Sequence, residues 1–552
     1  MPAGCDAERV PENGAAPVVA SRTSLAQVDE TARSQPGLSR RQLLRATAGS
    51  AAMLLPTRGL AKKKSPKPEL NVLFIAVDDL RPSLGCYGDP DIRTPNIDAL
   101  AANGLTFTSA YCQQAVCSPS RTSLLTGLRP DTTRVHDLQT HFRRFLRDTV
   151  TIPEHFKDHG YVTAGFSKIF HKPELDDLQS WSVPSWIPDH HGWNTVESRR
   201  FVQAKWDGLR SNNWISNERF YYEPAKRKPA VEGQRGWGMP GWESRRVADN
   251  QLADGMTADA VVHALGQLRR KRFFLAAGFL KPHLPFVAPE KYFDLYPKSQ
   301  IDLAAFREPP AGAPPYALHN SNELRGYINI PQDGPIPADQ ARDLIRAYRA
   351  SVSYVDAQIG RLLKALEDLR LRDNTVVVLW GDHGYHLGDH GIWNKHTNLE
   401  AATRAPLIVS APGRLGKNRK TSGLTELVDI FPALCELCGL DRPAALEGSS
   451  FVPLFDDPDR LWKRAVFSQY PREIPGVGAG MGYSIRTRRY RYTEWRAQDF
   501  PYTSAELYDY EADPLETRNI ANRPENISLV NGLQGMLREG WRSSLPPTEG
   551  PV

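Results

Sequence analysis

The stretch Leu70-Asn71-Val72-Leu73-Phe74-Ile75-Ala76-Val77-Asp78-Asp79 decides the fold. It is a short, almost unbroken apolar run, as expected of a strand covered on both faces in a parallel sheet, and it ends in two aspartates. Asn374-Thr375-Val376-Val377-Val378-Leu379-Trp380 repeats the pattern and ends in Gly381-Asp382-His383-Gly384. Between them lie a helix predicted from Thr94 through Leu100, closed by Gly104, and a long amphipathic helix from about Asp339 to Leu369 that feeds the second strand. Strands alternating with helices predict a doubly wound α/β sheet flanked by helices. Ligands gather at the carboxyl ends of such strands, where both acidic pairs fall.

Asp78, Asp79, Asp382 and His383 together offer three carboxylates and an imidazole. That set suits a hard cation, Ca²⁺ ahead of Mg²⁺, with the neutral imidazole standing in for an oxygen donor. Alone, Asp-Asp after a strand reads equally well as a turn or a helix cap. The cage gains weight because both pairs sit at matching places.

A third segment, Cys117-Ser118-Pro119-Ser120-Arg121-Thr122-Ser123-Leu124-Leu125, begins a helix. Pro119 suits a first turn, so Cys117 falls at the helix mouth, where free N–H groups favour anionic oxygen, and Arg121 lies one turn on, on the same side. A lone cysteine is more often simply buried. In the segment Gly160–His171, Lys168 and His171 stand three apart after a predicted strand. His283 lies in Lys281-Pro282-His283 after the apolar run Phe273–Phe279, and Lys395 lies in the glycine-rich loop 383–396. In that loop His386, His390 and His396 are expected at the surface.

The motif C-x-P-S-R at Cys117–Arg121 resembles the signature of the type I, formylglycine-dependent sulfatases. Arg129-Pro130-Asp131, Ser167-Lys168-Ile169-Phe170-His171, Lys281-Pro282-His283, Trp393-Asn394-Lys395-His396 and Gly482–Thr487 are similar to the iduronate-2-sulfatase branch, and the likeness runs from about Leu70 to Ala521. The resemblance implies an alkaline phosphatase-like fold. It implies a sulfuric ester hydrolase that acts on a sulfated sugar or oligosaccharide, a 2-O-sulfated uronate first. Cys117 would be converted to formylglycine by a formylglycine-generating enzyme, and the hydrated aldehyde would attack sulfur. Carried over residue by residue, Asp78, Asp79, Asp382, His383 and the modified Cys117 hold Ca²⁺. Arg121 and Lys168 stabilise the hydrate, and His171, His283 and Lys395 contact sulfate or pass protons, with Lys168, His283 and Lys395 binding substrate. Ser167 departs from the glycine usual there. A phosphonate monoester or phosphodiester hydrolase of the same superfamily, or a carbohydrate-binding homologue without activity, are the other readings.

The 552 residues, 40% of them hydrophobic, suffice for two domains. These are expected as a catalytic sulfatase domain at 66–440 and a smaller C-terminal α+β unit at 441–552 with a short antiparallel sheet, built from runs at 464–470, 483–495 and 506–510. There Arg486, Arg488, Arg489 and Arg491 read as a solvated strand face rather than a polyanion groove. Residues 1–61 resemble a twin-arginine export leader around Arg40-Arg41, which implies a periplasmic or extracellular location. No apolar tract of about 20 residues is present to span a bilayer. The net charge of +6 is slight, and Arg269-Arg270-Lys271-Arg272 reads as a helix end, so nucleic acid is not an expected partner. Among the six cysteines, Cys435 and Cys438 read as core, and Cys86 and Cys112 could pair. The insert at about 177–243 is a candidate substrate wall.

Overall fold

The computed structural model describes residues 70–171, 173–188, 240–497 and 500–547, so the leader and most of the 177–243 insert lie outside the described residues. The central sheet contains β1 (Asn71–Val77), β2 (Leu105–Phe107), β3 (Val162–Ser167), β4 (Phe273–Phe279), β5 (Thr375–Gly381), β6 (Leu407–Ser410) and β7 (Arg419–Thr421), in the order β7-β2-β6-β5-β1-β4-β3. Helices α1 (Pro95–Ala102), α2 (Cys117–Thr126), α3 (Ala253–Leu268), α4 (Asn322–Arg325), α5 (Ala338–Asp368) and α6 (Ile430–Cys438) accompany it. Side chains of β1 alternate between two cores, as a strand requires. Leu73, Ile75 and Val77 join Leu265 of α3 and Val355 and Ile359 of α5. Val72, Phe74 and Ala76 join Leu124 and Leu125 of α2 and Phe431 and Leu434 of α6. The apolar run at 70–77 therefore has no polar alternation because neither face meets water.

Strands β5, β1, β4 and β3 are parallel, whereas β6 runs antiparallel to β5 and to β2. The sheet is thus mixed. The chain between β5 and β6 stays at the carboxyl edge, where the Gly381 N–H donates to the Pro406 carbonyl at 3.0 Å. Without a crossover to the opposite edge, β6 can only run back.

Tertiary partners also replace two local expectations. Thr94 does not cap α1: its hydroxyl accepts from Gly85 N at 3.0 Å, and the open N–H groups of Asn96 and Ile97 are taken by Asp356 of α5 at 3.0 and 2.7 Å. Gly278 of β4 is a close-approach site, since a Cβ there would lie 2.2 Å from the Lys168 carbonyl. Cys86 and Cys112 are both free thiols, and Cys435 and Cys438 are buried and free. Arg269, Arg270 and Lys271 follow the end of α3 and are exposed, as a helix end should be. No described helix is long and apolar enough to cross a membrane.

A four-stranded antiparallel sheet follows, with β8 (Val466–Ile474), β9 (Gly478–Arg486), β10 (Tyr490–Ala497) and β11 (Phe500–Asp509), and then α7 (Ile527–Glu539). The run 483–495 is therefore two strands rather than one. The reversal falls at 487–490, where Thr487 N donates to Tyr490 O at 2.8 Å, a turn without glycine or proline to mark it.

The expected solvated arginine face is also corrected. Arg488 and Arg489 are exposed, but Arg486 and Arg491 are buried. Arg491 Nη2 and Arg486 Nε donate to Glu400 Oε2 at 2.7 and 3.1 Å, and Arg491 Nε pairs with Glu516 at 3.2 Å. Glu400 belongs to the stretch that leads into β6, so these pairs dock the antiparallel sheet onto the central one.

Burial opposes ionisation of Glu400, but Arg486, Arg491 and Arg404 outweigh it and bring its carboxyl from the usual 4.5 down to about 2. A lowered carboxyl contributes stability that is complete above the unfolded value and lost as pH falls through the folded one. Glu400→Gln should therefore cost about 3 kcal/mol at neutral pH, from roughly 1.4 kcal/mol per unit. Urea unfolding at successive pH values should show that gap closing between the usual 4.5 and about 2.

Candidate active site

The parallel strands β5, β1, β4 and β3 all end at one edge, and the register aligns Val77 with both Gly381 and Phe279. Asp78-Asp79 leave β1, Asp382-His383 leave β5, Lys168 leaves β3 and Lys281–His283 leave β4. The N-terminus of α2 brings Cys117 to the same place. The residues singled out from the sequence are thus brought together, with His171 close by through its β3 loop.

All three aspartates are fully buried. Arg121 spans two of them, giving Nε to Asp382 Oδ2 and Nη2 to Asp78 Oδ1, each at 2.9 Å. Its Nη1 donates to the carbonyls of Lys168 and Ile169. The guanidinium therefore holds carboxylates and backbone, and its influence on Cys117 is through charge. Lys168 Nζ donates to Asp78 Oδ2 and lies 3.7 Å from Cys117 Sγ. Burial works against the charge on Asp78, yet Lys168 and Arg121 hold its carboxyl well below the usual range. Lys395 Nζ donates to both oxygens of Asp79, at 3.1 and 3.0 Å.

Cys117 Sγ lies 3.4 Å from His383 Nε2 and 4.0 Å from Asp79 Oδ1. Burial and the neighbouring Asp78 push this thiol well above its ordinary value of 9.0. An unmodified cysteine here is protonated at neutral pH and a poor nucleophile.

The donor set fits a hard cation. His383 Nδ1 is 2.9 Å from the Gly384 carbonyl, which must accept, so Nδ1 carries a hydrogen and Nε2, the atom that would offer a lone pair to a metal, points inward. Nε2 lies 3.4 Å from Asp79 Oδ1 and 3.6 Å from Asp382 Oδ2. A cation bound among these atoms would be held by two carboxylate oxygens and an imidazole nitrogen. Ligand atoms of Cys117, Asp382 and His383 lie within 4.8 Å of one another, as do those of Asp78, Asp79, Cys117 and His283.

One member of the site escaped the sequence reading. Glu323 of α4 accepts from Lys395 Nζ at 3.0 Å and lies 3.1 Å from His283 Nε2. Its segment carries no motif and no periodicity, and its place is set by the fold alone. In formal charge, Asp78, Asp79, Asp382 and Glu323 outnumber Arg121, Lys168 and Lys395 by one. A divalent cation would reverse the sign to a single positive charge, matched to a monoanionic ester.

Three histidines are corrected. His386 and His390 are buried, and His396 is half-buried. His386 Nε2 bonds Thr397 Oγ1 at 3.0 Å and His390 Nε2 bonds the Leu515 carbonyl at 2.9 Å, so both stitch the loop to its surroundings. His171 has a buried Nδ1 without a hydrogen-bond partner. Burial and the Lys168 charge bring its ring from 6.5 down to about 2, so it stays neutral. Ser167, which stands where a glycine was expected, adopts φ +60°, the left-handed conformation that explains the preference for glycine there.

Comparison with known proteins agrees with this geometry. The family profile described as Sulfatase matches residues 70–440, and that of the N-sulphoglucosamine sulphohydrolase C-terminal region matches 388–542. Human iduronate 2-sulfatase is 37% identical over 536 residues, covering 83% of this chain and 92% of the relative. The mouse iduronate 2-sulfatase is 35% identical, covering 86% and 95%. Among solved structures, the phosphonate monoester hydrolase of Agrobacterium radiobacter superposes with a TM-score of 0.69 at 23% identity, over 88% of this chain and 99% of that one, which speaks for the shared fold. With its mixed sheet, its acidic strand ends and a profile match over most of its length, this chain belongs to the sulfatase family and is a sulfatase.

Proposed function

We propose that the enzyme removes sulfate from a sulfated sugar, a 2-O-sulfated uronate first, with formylglycine made from Cys117 by a maturing enzyme and Ca²⁺ held by Asp78, Asp79, Asp382 and His383. The observation that carries this reading is the setting of Cys117. Its Sγ lies between Lys168 Nζ at 3.7 Å and His383 Nε2 at 3.4 Å, in a place where the thiol itself is inert. The uronate rests on the names of the human and mouse relatives. Export of the chain and a boundary near 440 between catalytic and C-terminal parts belong to the same proposal.

Formylglycine supplies a hydrate with one oxygen to attack sulfur and a second hydroxyl whose deprotonation expels sulfate and restores the aldehyde. A cation held by Asp78, Asp79, Asp382 and His383 would lower the cost of ionising that hydrate and offset the charge of the ester. The remaining work falls to the chain. Lys168 favours the ionised oxygen at position 117. Arg121 keeps Asp78 and Asp382 in place as ligands. His283, about a quarter exposed at the open side of the cage, would protonate the leaving alcohol, with Lys395 beside it for the sulfate oxygens. His171, neutral throughout, can donate a hydrogen bond but is not the acid.

With the protein co-produced alongside a formylglycine-generating enzyme, peptide mass should show an aldehyde in place of the thiol at residue 117. Sulfate should be released from a 2-O-sulfated uronate disaccharide, and Cys117→Ala should abolish it. Turnover of a phosphonate monoester with no sulfate released from this or from sulfated algal oligosaccharides would overturn the reading.

Chelation should lower the melting temperature by uncovering repulsion among three buried carboxylates. Ca²⁺ at a hundredfold excess over its Kd should restore about 2.7 kcal/mol of stability, and Mg²⁺ at the same concentration should restore less. Equal recovery with Mg²⁺ would refute the choice of ion.

His171→Asn should reduce kcat while leaving the limbs of the pH–rate profile between about pH 5 and 8 where they are, because a ring held near 2 does not titrate there. A limb that moves with this variant would show His171 to be the acid after all.

A further inference from the structure

A cavity of about 270 Å³ lies where the C-terminal sheet meets the segments flanking α2, and none of the residues assigned above to the active site lines it. Its walls are drawn from distant parts of the chain: Gln113 ahead of α2, Arg129 after it, Phe467 of β8, Tyr483 of β9, Arg496 of β10 and Trp541 after α7. Three buried polar atoms on these walls have no hydrogen-bond partner within the protein, namely Gln113 Oε1, Arg129 Nε and Arg496 Nη2. Gln113 and Arg129 are only 1% and 7% exposed.

Other atoms of the same side chains are already engaged. Gln113 Nε2 faces the Tyr111 carbonyl at 3.5 Å, so the oxygen is the free end of the amide. Arg129 gives Nη1 and Nη2 to the two oxygens of Glu426, both at 2.7 Å, and Arg496 gives Nε to Glu494 at 2.8 Å. A buried donor or acceptor left unmade costs about 1–3 kcal/mol. Three of them around one cavity point to a ligand that completes the set. A bridging water needs only about 10–15 Å³, so the space is sized for something larger.

Signs and shapes restrict what fits. Two donors and one acceptor require a molecule that both accepts and donates, which hydroxyl groups do. Phe467, Tyr483 and Trp541 add ring surface for an apolar face. Charge disfavours an anion: both arginines already hold carboxylates, Asp131 lines the cavity, and Glu447 accepts from Arg129 N at 2.6 Å. A sulfate or carboxylate would therefore meet no unpaired cation.

We propose that this cavity is an accessory carbohydrate site for an unsulfated sugar ring, whose hydroxyls accept from Arg129 and Arg496 and donate to Gln113 while its C–H faces pack on the aromatic wall. Gln113 stands four residues before Cys117, so their Cα atoms are at most about 14 Å apart even in an extended chain. The ring is thus either a free sugar or another unit of the glycan being desulfated. Binding requires neither formylglycine nor a cation, so it stands or falls separately from the sulfated-sugar reading.

The test titrates the full-length protein with methyl β-glucoside, methyl β-galactoside and methyl N-acetyl-β-glucosaminide, followed by calorimetry and saturation-transfer NMR. Wild type should bind at least one with a Kd of about 1 mM, and Trp541→Ala and Arg496→Met should each weaken it at least about tenfold. Arg496→Met keeps a stem over Tyr483, and Glu494 retains its bonds from Tyr492 and Gln534, so the fold should survive; thermal melting checks both variants. Saturable binding by none of the three up to about 20 mM would mean that the cavity holds water alone, and it would overturn the proposal. Binding that neither variant alters would place the sugar elsewhere and do the same. So would tighter binding of the per-O-sulfated glycoside that is lost in Arg496→Met, which would mark an anion site. Sulfate release then identifies the source of the ring. A KM raised by Trp541→Ala on a sulfated tetrasaccharide but not on the sulfated monosaccharide assigns it to the substrate chain, and no change on either assigns it to a free sugar.

Discussion

Asp78 and Asp382 end neighbouring parallel strands, so the backbone register alone forces two buried carboxylates side by side. Away from water, their repulsion is weakly screened. The guanidinium of Arg121 makes the arrangement possible, with one nitrogen on each carboxylate at 2.9 Å and a third on the carbonyls of Lys168 and Ile169. A planar fork with several donors can do this, whereas a lysine has a single point of charge. Removing one partner of such a buried set typically costs about 3–5 kcal/mol. The same side chain locks α2 against β1, β5 and the loop after β3. Because Cys117 lies one turn earlier on α2, the position of the nucleophile follows from the salt bridge.

Backbone strain gathers around this centre. Asp79, Ser167, Asn394 and His396 all have positive φ, between +58° and +78°. Each such residue costs on the order of 1–3 kcal/mol and persists only where the surroundings determine it. For Asp79 the surroundings are explicit: its N–H donates to Asp382 Oδ1 at 3.1 Å and its carbonyl accepts from the Tyr348 hydroxyl at 2.8 Å. The turn aims its carboxylate at Lys395. At Asn394 and His396 the same conformation brackets Lys395 and directs it inward, which is how a lysine comes to be almost fully buried at the edge of a sheet.

The antiparallel sheet supports that loop from outside. Asn398 Nδ2 donates to the Gly482 carbonyl at 2.9 Å, Arg472 donates to the His396 carbonyl, and His396 N donates to Ala115 O at 3.0 Å. Together with the pairing of Arg486 and Arg491 to Glu400, these bonds make the C-terminal strands part of what holds Lys395 in place. The loop carrying Lys395 is thereby tied both to the segment that precedes Cys117 and to a sheet remote in sequence.

Some of this was legible from the chain alone. The runs at 70–77 and 374–380 announce buried strands, because a strand covered on both faces can hold no polar alternation, and the acids that follow them sit where the strands end. Pro119 places the start of α2, and with it Cys117, by a rule that involves only neighbouring residues. Strand ends, helix starts and the chemical type of the site were therefore determined by local sequence. The direction of β6, the turn at 487–490, the burial of His386, Arg486 and Arg491, the partners of Arg121 and the presence of Glu323 were decided by tertiary structure. Each depends on which segments the register and packing bring together across tens to hundreds of residues, and period and propensity carry no information about a partner so far along the chain.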